Sequence, residues 1–215
     1  GIETDEIKEN LIKYCFVNWN CDTNGILNIA KNLEPDYELS ESIKKVLKLL
    51  TLYFTGNEQF KEYCFELYGY YGSLNKGIYL VGGTGSGKTK MFEIFKIYTS
   101  EILKQNSFYK YNEFDIISRT STKGLAYLNS LNKSCIYIDD FASGVSTVNY
   151  FGNPINAMQF CLNKRYTKFA QYKCVTHLST NKYPTELKGL FSDRLIDRFI
   201  EMFNIIELDG NSFRK

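Results

Sequence analysis

Gly82-Gly83-Thr84-Gly85-Ser86-Gly87-Lys88-Thr89 follows the apolar run Ile78-Tyr79-Leu80-Val81 and opens a stretch with helical periodicity. The order is strand, glycine-rich loop, helix, and every fixed position of the pattern G-x-x-x-x-G-K-[ST] is filled. Glycines let the backbone fold back so that its N–H groups converge on phosphate oxygens with no Cβ in the way. The partly positive start of the following helix aims at the same anion. In this pattern Lys88 reaches the β- and γ-phosphates of ATP, and the Thr89 hydroxyl ligates Mg²⁺. A glycine-rich turn that matches by accident is the competing reading, and the strand–loop–helix context with Lys and Thr in place argues against it.

Downstream, Met91, Ile94, Phe95, Tyr98 and Ile102 recur at helical spacing and predict a core-facing helix. A strand is expected within Phe108–Ser118, a short helix near Lys123–Leu131, and a buried strand at Cys135–Ile138. A loop at Phe141–Pro154, a helix over Ile155–Phe169 and a strand at Tyr172–Leu178 follow. A helix around Thr185–Ile200 then leads to a strand at Phe203–Leu208. Strands alternating with helices predict an α/β fold whose parallel five-stranded sheet is flanked by helices.

Upstream, residues 2–18 carry a helical stripe, and Asn20 to Pro35 reads as turn-rich. Helices are expected over Ser42–Phe54 and Glu58–Tyr68, before a break at Gly69–Ser73. Residues 1–72 thus read as a small helical N-terminal appendage, a possible partner-binding module, and residues 73–215 as the nucleotide-binding core.

The 215 residues are 44% hydrophobic and 23% charged, ordinary values for a globular protein. A net charge of +2 excludes a generally basic nucleic-acid coat, although the second half is mildly positive. Six cysteines form no C-x-x-C pair and His177 is the only histidine, which argues against zinc and suits reduced thiols in a cytoplasm. No run approaches the roughly 18 apolar residues of a membrane span, so no membrane partner is expected.

Ile136-Tyr137-Ile138-Asp139-Asp140 brings two carboxylates to the end of an apolar strand. Asp139 suits Mg²⁺, a hard cation that prefers oxygen ligands, and Asp140 suits a water-activating role. Thr176-His177-Leu178-Ser179-Thr180-Asn181 ends another strand in small polar groups; Asn181 is a candidate for holding water near the γ-phosphate, and a plain strand-to-turn transition capped by Ser, Thr and Asn accounts for the stretch equally well. His177 reads as structural. Arg194 and Arg198 lie four apart on one helical face, either as a transition-state arginine for a neighbouring subunit or as exposed partners of Asp193 and Asp197. Phe108, Tyr109, Lys110, Tyr111, Arg119 and Lys123 mix aromatics with cations, as single-stranded nucleic acid requires, and a core or surface role accounts for them equally well.

From Gly77 to Lys215 these motifs resemble the DnaC/IstB-like AAA+ ATPases, which include bacterial and phage helicase loaders and transposition ATPases. The likeness rests on the P-loop (Walker A) stretch, Ile-Tyr-Ile-Asp-Asp, Asn163-Lys164-Arg165-Tyr166 and Leu178-Ser179-Thr180-Asn181. It closes with Asp193-Arg194-Leu195-Ile196-Asp197-Arg198 and Gly210-Asn211-Ser212-Phe213-Arg214. The resemblance implies an AAA+ core with Asn181 as sensor 1, Arg194 or Arg198 as the trans-acting finger, and Arg214 sensing nucleotide or a neighbour. It also implies a nucleotide-dependent oligomer, single-stranded DNA, and a replicative helicase or, for the transposition ATPases, a transposase as partner. The chain ends seven residues after Leu208, so no C-terminal lid domain is expected. Asp140 stands where most AAA+ proteins have Glu. A non-hydrolysing nucleotide switch or adaptor and a P-loop kinase are the alternatives in other classes.

Overall fold

The computed structural model describes Ile26, Ile29, Ala30, Asn32 and residues 40–209 apart from 106, 132, 133, 145, 146 and 151. The expected helix over residues 2–18 and Arg214 lie outside the described residues. Two compact units result. The first takes the described residues of Gly1–Leu74, Gly83–Ser107 and Glu207–Lys215; the second takes those of Asn75–Gly82 and Phe108–Ile206. Among the described residues no helix is long and apolar enough to cross a membrane.

The first unit is helical. Ile26, Ile29, Ala30 and Asn32 are helical, with both isoleucines buried, which corrects the turn-rich reading of Asn20–Pro35. The spacing of Ile26, Ile29 and Ala30 outweighs the turn signal of Asn24-Gly25. Helix α1 (Glu41–Phe54) starts where the Ser40 hydroxyl accepts the Ile43 N–H, and it buries Ile43, Val46, Leu47 and Leu50. Gly56 ends this segment in the left-handed region (φ +69°). Helix α2 (Gln59–Tyr68) buries Phe60 and Cys64 and stops at left-handed Gly69. The chain then presses Gly72 against α2, where an added Cβ would lie 2.5 Å from Cys64 Sγ. Helix α3 (Lys88–Ile97) continues through a π-helical turn, Tyr98–Ile102, and the rings of Phe54 and Phe95 stack at 5.1 Å.

The second unit holds the sheet. Its elements are β1 (Gly77–Val81), β2 (Tyr109–Asn112), α4 (Glu113–Lys123), α5 (Leu125–Ser130), β3 (Ile136–Asp139), β4 (Thr147–Tyr150) and β5 (Asn153–Asn156). They continue with α6 (Ala157–Tyr172), β6 (Thr176–Thr180), α7 (Asp193–Met202) and β7 (Phe203–Glu207). The five-stranded sheet runs in the order β2-β3-β6-β1-β7, with parallel pairing of β2 to β3, β3 to β6 and β6 to β1. Strands β1, β3 and β6 are buried along their whole length, as a sheet covered on both faces demands. On one face Tyr79, Val81, Ile136, Ile138 and Leu178 form a core with Ile116 of α4, Leu128 of α5, Met158, Cys161 and Leu162 of α6, and Leu195 and Phe199 of α7.

Helix α4 fills Glu113–Lys123, where no helix is expected, and β6 starts at Thr176 rather than Tyr172 because α6 runs on through Tyr172. Two further segments differ from expectation. The loop predicted for Phe141–Pro154 contains an antiparallel hairpin, β4 with β5, in which Val148 faces Ile155 and Tyr150 faces Asn153. Its strands are polar and include Pro154, so neither alternation nor β-propensity reveals them. The helix predicted from Thr185 begins only at Asp193, after a 3₁₀ turn at Pro184–Leu187 and left-handed Gly189. The proline and the glycine break what apolar spacing alone would join.

Candidate functional site

The glycine-rich stretch Gly82–Thr89 runs from the end of β1 into the start of α3. Gly85 and Gly87 are left-handed (φ +80° and +93°), conformations that a side chain resists. The Ser86 N–H closes a turn on the Gly83 carbonyl at 3.3 Å. Helix α3 begins at Lys88, its N-cap Gly87 offers no capping side chain, and its first turn carries no acidic residue. The leading N–H groups are therefore suited to an anion. Lys88 is buried and its ammonium donates to the Gly83 carbonyl at 2.8 Å and meets the Ser86 hydroxyl at 3.4 Å. Thr89 is half-buried at the next position, and a Cβ added at exposed Gly83 would meet nothing within 4 Å. This loop fits a polyphosphate. In the second unit the preceding Gly82 donates its N–H to the Thr180 carbonyl at the end of β6.

Asp139 ends β3 and is buried. Its Oδ1 accepts from the Tyr137 hydroxyl and from the Ser179 hydroxyl, both at 2.6 Å. These two hydroxyl oxygens are 2.8 Å apart. With one proton each, both donate to the carboxylate only when that mutual contact carries none. Lys110 on β2 forms an ion pair with Oδ2 at 3.4 Å. Among the described residues no cluster of three or more His, Cys, Asp or Glu could hold a metal ion. A carboxylate oxygen is the type of donor that a hard cation such as Mg²⁺ prefers, so Asp139 fits by donor chemistry.

Asp140 is exposed and left-handed (φ +54°), and Ala142 repeats that conformation (φ +58°). Four contacts hold this unusual backbone. The Phe141 N–H donates to the Ser179 carbonyl at 2.8 Å, and the Thr180 hydroxyl donates to the Phe141 carbonyl at 2.6 Å. Buried Glu113 accepts the Ser143 N–H at 3.0 Å, and the Phe141 ring stacks on Phe191. Strain of this kind gathers where chemistry needs a fixed geometry. Asn181 is exposed directly after β6.

The two arginines of α7 part company. Arg198 stacks over Tyr166 at 4.3 Å and donates to Asn163 Oδ1, while the Tyr166 hydroxyl donates to Glu201. Arg194 is exposed. Arg165, in the quoted Asn163–Tyr166 stretch, is fully buried. It donates to the carbonyls of Leu131, Ser134 and Val175 and to the Thr176 hydroxyl. His177 accepts the Ile78 N–H on Nδ1, and burial together with the Arg165 charge pushes its pKa down to about 3.

The candidate DNA-contacting residues disperse. Phe108 is buried against Tyr137 and His177, so it is core. Tyr111 packs on the core, Lys110 pairs with Asp139, and Tyr109, Arg119 and Lys123 are exposed. The motifs contain Tyr137 and Ser179 and name Lys110 without their contacts to Asp139, and they miss Glu113. A period-two reading of β3 does put Tyr137 on the face of Asp139; the other three arrive only through strand register and loop closure.

No family model matches the sequence and no curated protein does. Solved structures do. A candidate primosome component from Streptococcus pyogenes serotype M3 aligns with a TM-score of 0.58 at 15% identity, over 91% of this chain and 93% of its own. The DnaC helicase loader aligns with a TM-score of 0.54 at 17% identity, over 82% of this chain and 95% of its own. The replication initiator DnaA, bound to AMPPCP and single-stranded DNA, gives 0.54 at 16% identity over 82% of this chain, which spans about half (49%) of DnaA. The likeness is one of fold: this chain has the AAA+ P-loop fold of the DnaC helicase loader.

Proposed function

We propose that the protein binds and hydrolyses ATP with Mg²⁺ and works as an oligomer on single-stranded DNA in replication, in the manner of DnaC-type helicase loaders. The observation that carries this reading is the P-loop: left-handed Gly85 and Gly87, buried Lys88 and an uncapped helix start. The neighbour bound to AMPPCP and single-stranded DNA supports the choice of both ligands.

In this proposal the loop N–H groups from Gly83 to Thr89 and the Lys88 ammonium hold the phosphates. Thr89 and Asp139 serve the metal, which when bound neutralises charge on the phosphoryl group. Tyr137 and Ser179 keep the Asp139 carboxylate oriented. Asp140 orients the attacking water and accepts its proton, and Asn181 holds that water in line. An arginine from the next subunit, Arg194 or Arg198, meets the γ-phosphate. Arg214 and residues 1–72 are assigned to nucleotide sensing and to partner binding, and residues 73–215 to the ATPase core. A replicative helicase is the partner this reading favours; a transposase belongs to the related transposition ATPases.

Fluorescent ATP-analogue titration, turnover with and without single-stranded DNA, and light scattering test the proposal together. Lys88→Ala is expected to weaken nucleotide binding at least tenfold. Asp140→Asn is expected to keep binding and lose turnover by on the order of 100-fold or more. Arg194→Ala and Arg198→Ala should bind normally, and the one that supplies the finger should abolish nucleotide-dependent assembly and turnover. A wild type that binds nucleotide but neither assembles nor turns it over on DNA would make the protein an adaptor, and one that binds none would end the reading.

A further inference from the structure

Lys110 sits on β2, the strand at one edge of the sheet. Its register partner is Tyr137, and Asn112 faces Asp139, so Lys110, Tyr137 and Asp139 share one face of the sheet. The two oxygens of Asp139 are served differently. Oδ1 receives two hydroxyl donors, whereas Oδ2 faces the Lys110 ammonium at 3.4 Å. The Asp139 side chain is 7% exposed and that of Lys110 is 31% exposed. A buried carboxylate is thus anchored on one oxygen and paired on the other with a cation that has a route to water. A lysine stem has four rotatable bonds and a compact charge, so it can leave where a planar, stacked arginine would not.

A metal ion and an ammonium want the same thing from Oδ2. Taking up the metal with the ammonium in place would set two cations against each other at close range in a partly desolvated site. Resting on the proposed role of Asp139 at the metal, we infer that Lys110 is a resident competitor for Oδ2, displaced toward solvent when the metal binds. Lys110 then sets the metal concentration at which the site loads. It also neutralises Asp139 in the metal-free protein, where an unpaired buried carboxylate would be costly. Tyr137 and Ser179 hold the carboxylate still through the exchange, because their bonds to Oδ1 do not depend on which cation occupies Oδ2.

The test is calorimetric titration of Mn²⁺ into the AMPPCP-loaded protein, a binding readout independent of turnover. Lys110→Met is expected to load at roughly tenfold lower Mn²⁺, the effect of removing one partly screened charge. Lys110→Gln should move the same way and serves if the methionine variant does not fold. Lys110→Arg, which keeps the charge but swings out less readily, should load at or above the wild-type concentration. Unchanged or weaker loading in both neutral variants, with Asp139→Asn abolishing uptake, overturns the inference and leaves Lys110 as a packing partner only. Uptake that survives Asp139→Asn instead overturns the assignment of Asp139 to the metal.

Discussion

At the amino ends of its strands the sheet surrounds buried polar groups with backbone; at the carboxyl ends it gathers them around a carboxylate. The amino side is saturated. Arg165 spends its donors on three carbonyls and a threonine hydroxyl, and the Asn204 amide reaches the carbonyls of Lys76 and Gly77. Gly77 leaves no room for a side chain, since an added Cβ would lie 1.7 Å from the Thr176 carbonyl oxygen. The carboxyl side carries the exposed Asp140 and Asn181 and the left-handed Asp140 and Ala142. One end holds the sheet together and the other carries the strained backbone and the charge.

The comparison is broken most severely at Arg165. Arg165→Ala strands one buried and two part-buried carbonyls and a buried hydroxyl, and should lower stability by about 3–5 kcal/mol in urea unfolding. A loss below about 1 kcal/mol would mean that the amino end is not the anchor described.

His177 comes next. Its folded pKa lies near 3, below the ordinary histidine value of 6.5. As pH falls below 6.5 the unfolded chain binds a proton that the folded chain refuses. Stability is therefore full above pH 6.5 and declines toward pH 3, by about 1.4 kcal/mol per pH unit well below 6.5, or roughly 2 kcal/mol at pH 5. His177→Gln, whose amide oxygen still accepts from Ile78, should remove that slope. An unchanged slope would shift the acid sensitivity to other groups.

The smallest effect belongs to the carboxyl end. Ala142→Gly relieves a left-handed alanine but loosens the unfolded chain and removes a buried methyl, so the terms nearly cancel and stability should change by less than about 0.5 kcal/mol. A loss above about 1.5 kcal/mol in the same measurement, the full cost of the lost methyl and the freer unfolded chain, would show that the loop is relaxed rather than strained.

What sequence made legible follows from what is local. The P-loop, β1 and α3 are contiguous, and β3 and β6 are apolar runs whose burial on both faces leaves little choice of fold. Asp139, Asp140 and Asn181 were visible as polar groups ending such runs. The hairpin from Thr147 to Asn156 was hidden because its polar strands and Pro154 imitate a loop. The surroundings of Asp139 were hidden for another reason. Ser179 lies 40 residues away and Lys110 arrives on a separate strand, joined to Asp139 only by register. Glu113 meets Ser143 across 30 residues. No window of sequence contains such a site.

Strand β2 is four residues long, borders the sheet, and presents exposed Tyr109 beside Lys110. A short marginal strand with a lysine in its middle is a poor template for a strand from another molecule. The ammonium that attends Asp139 therefore also guards against unwanted pairing between copies. Position 110 thus bears on two things at once, the pairing with Asp139 inside and the behaviour of the strand at the rim. A replacement that satisfies only the first carries a penalty visible in concentrated solution.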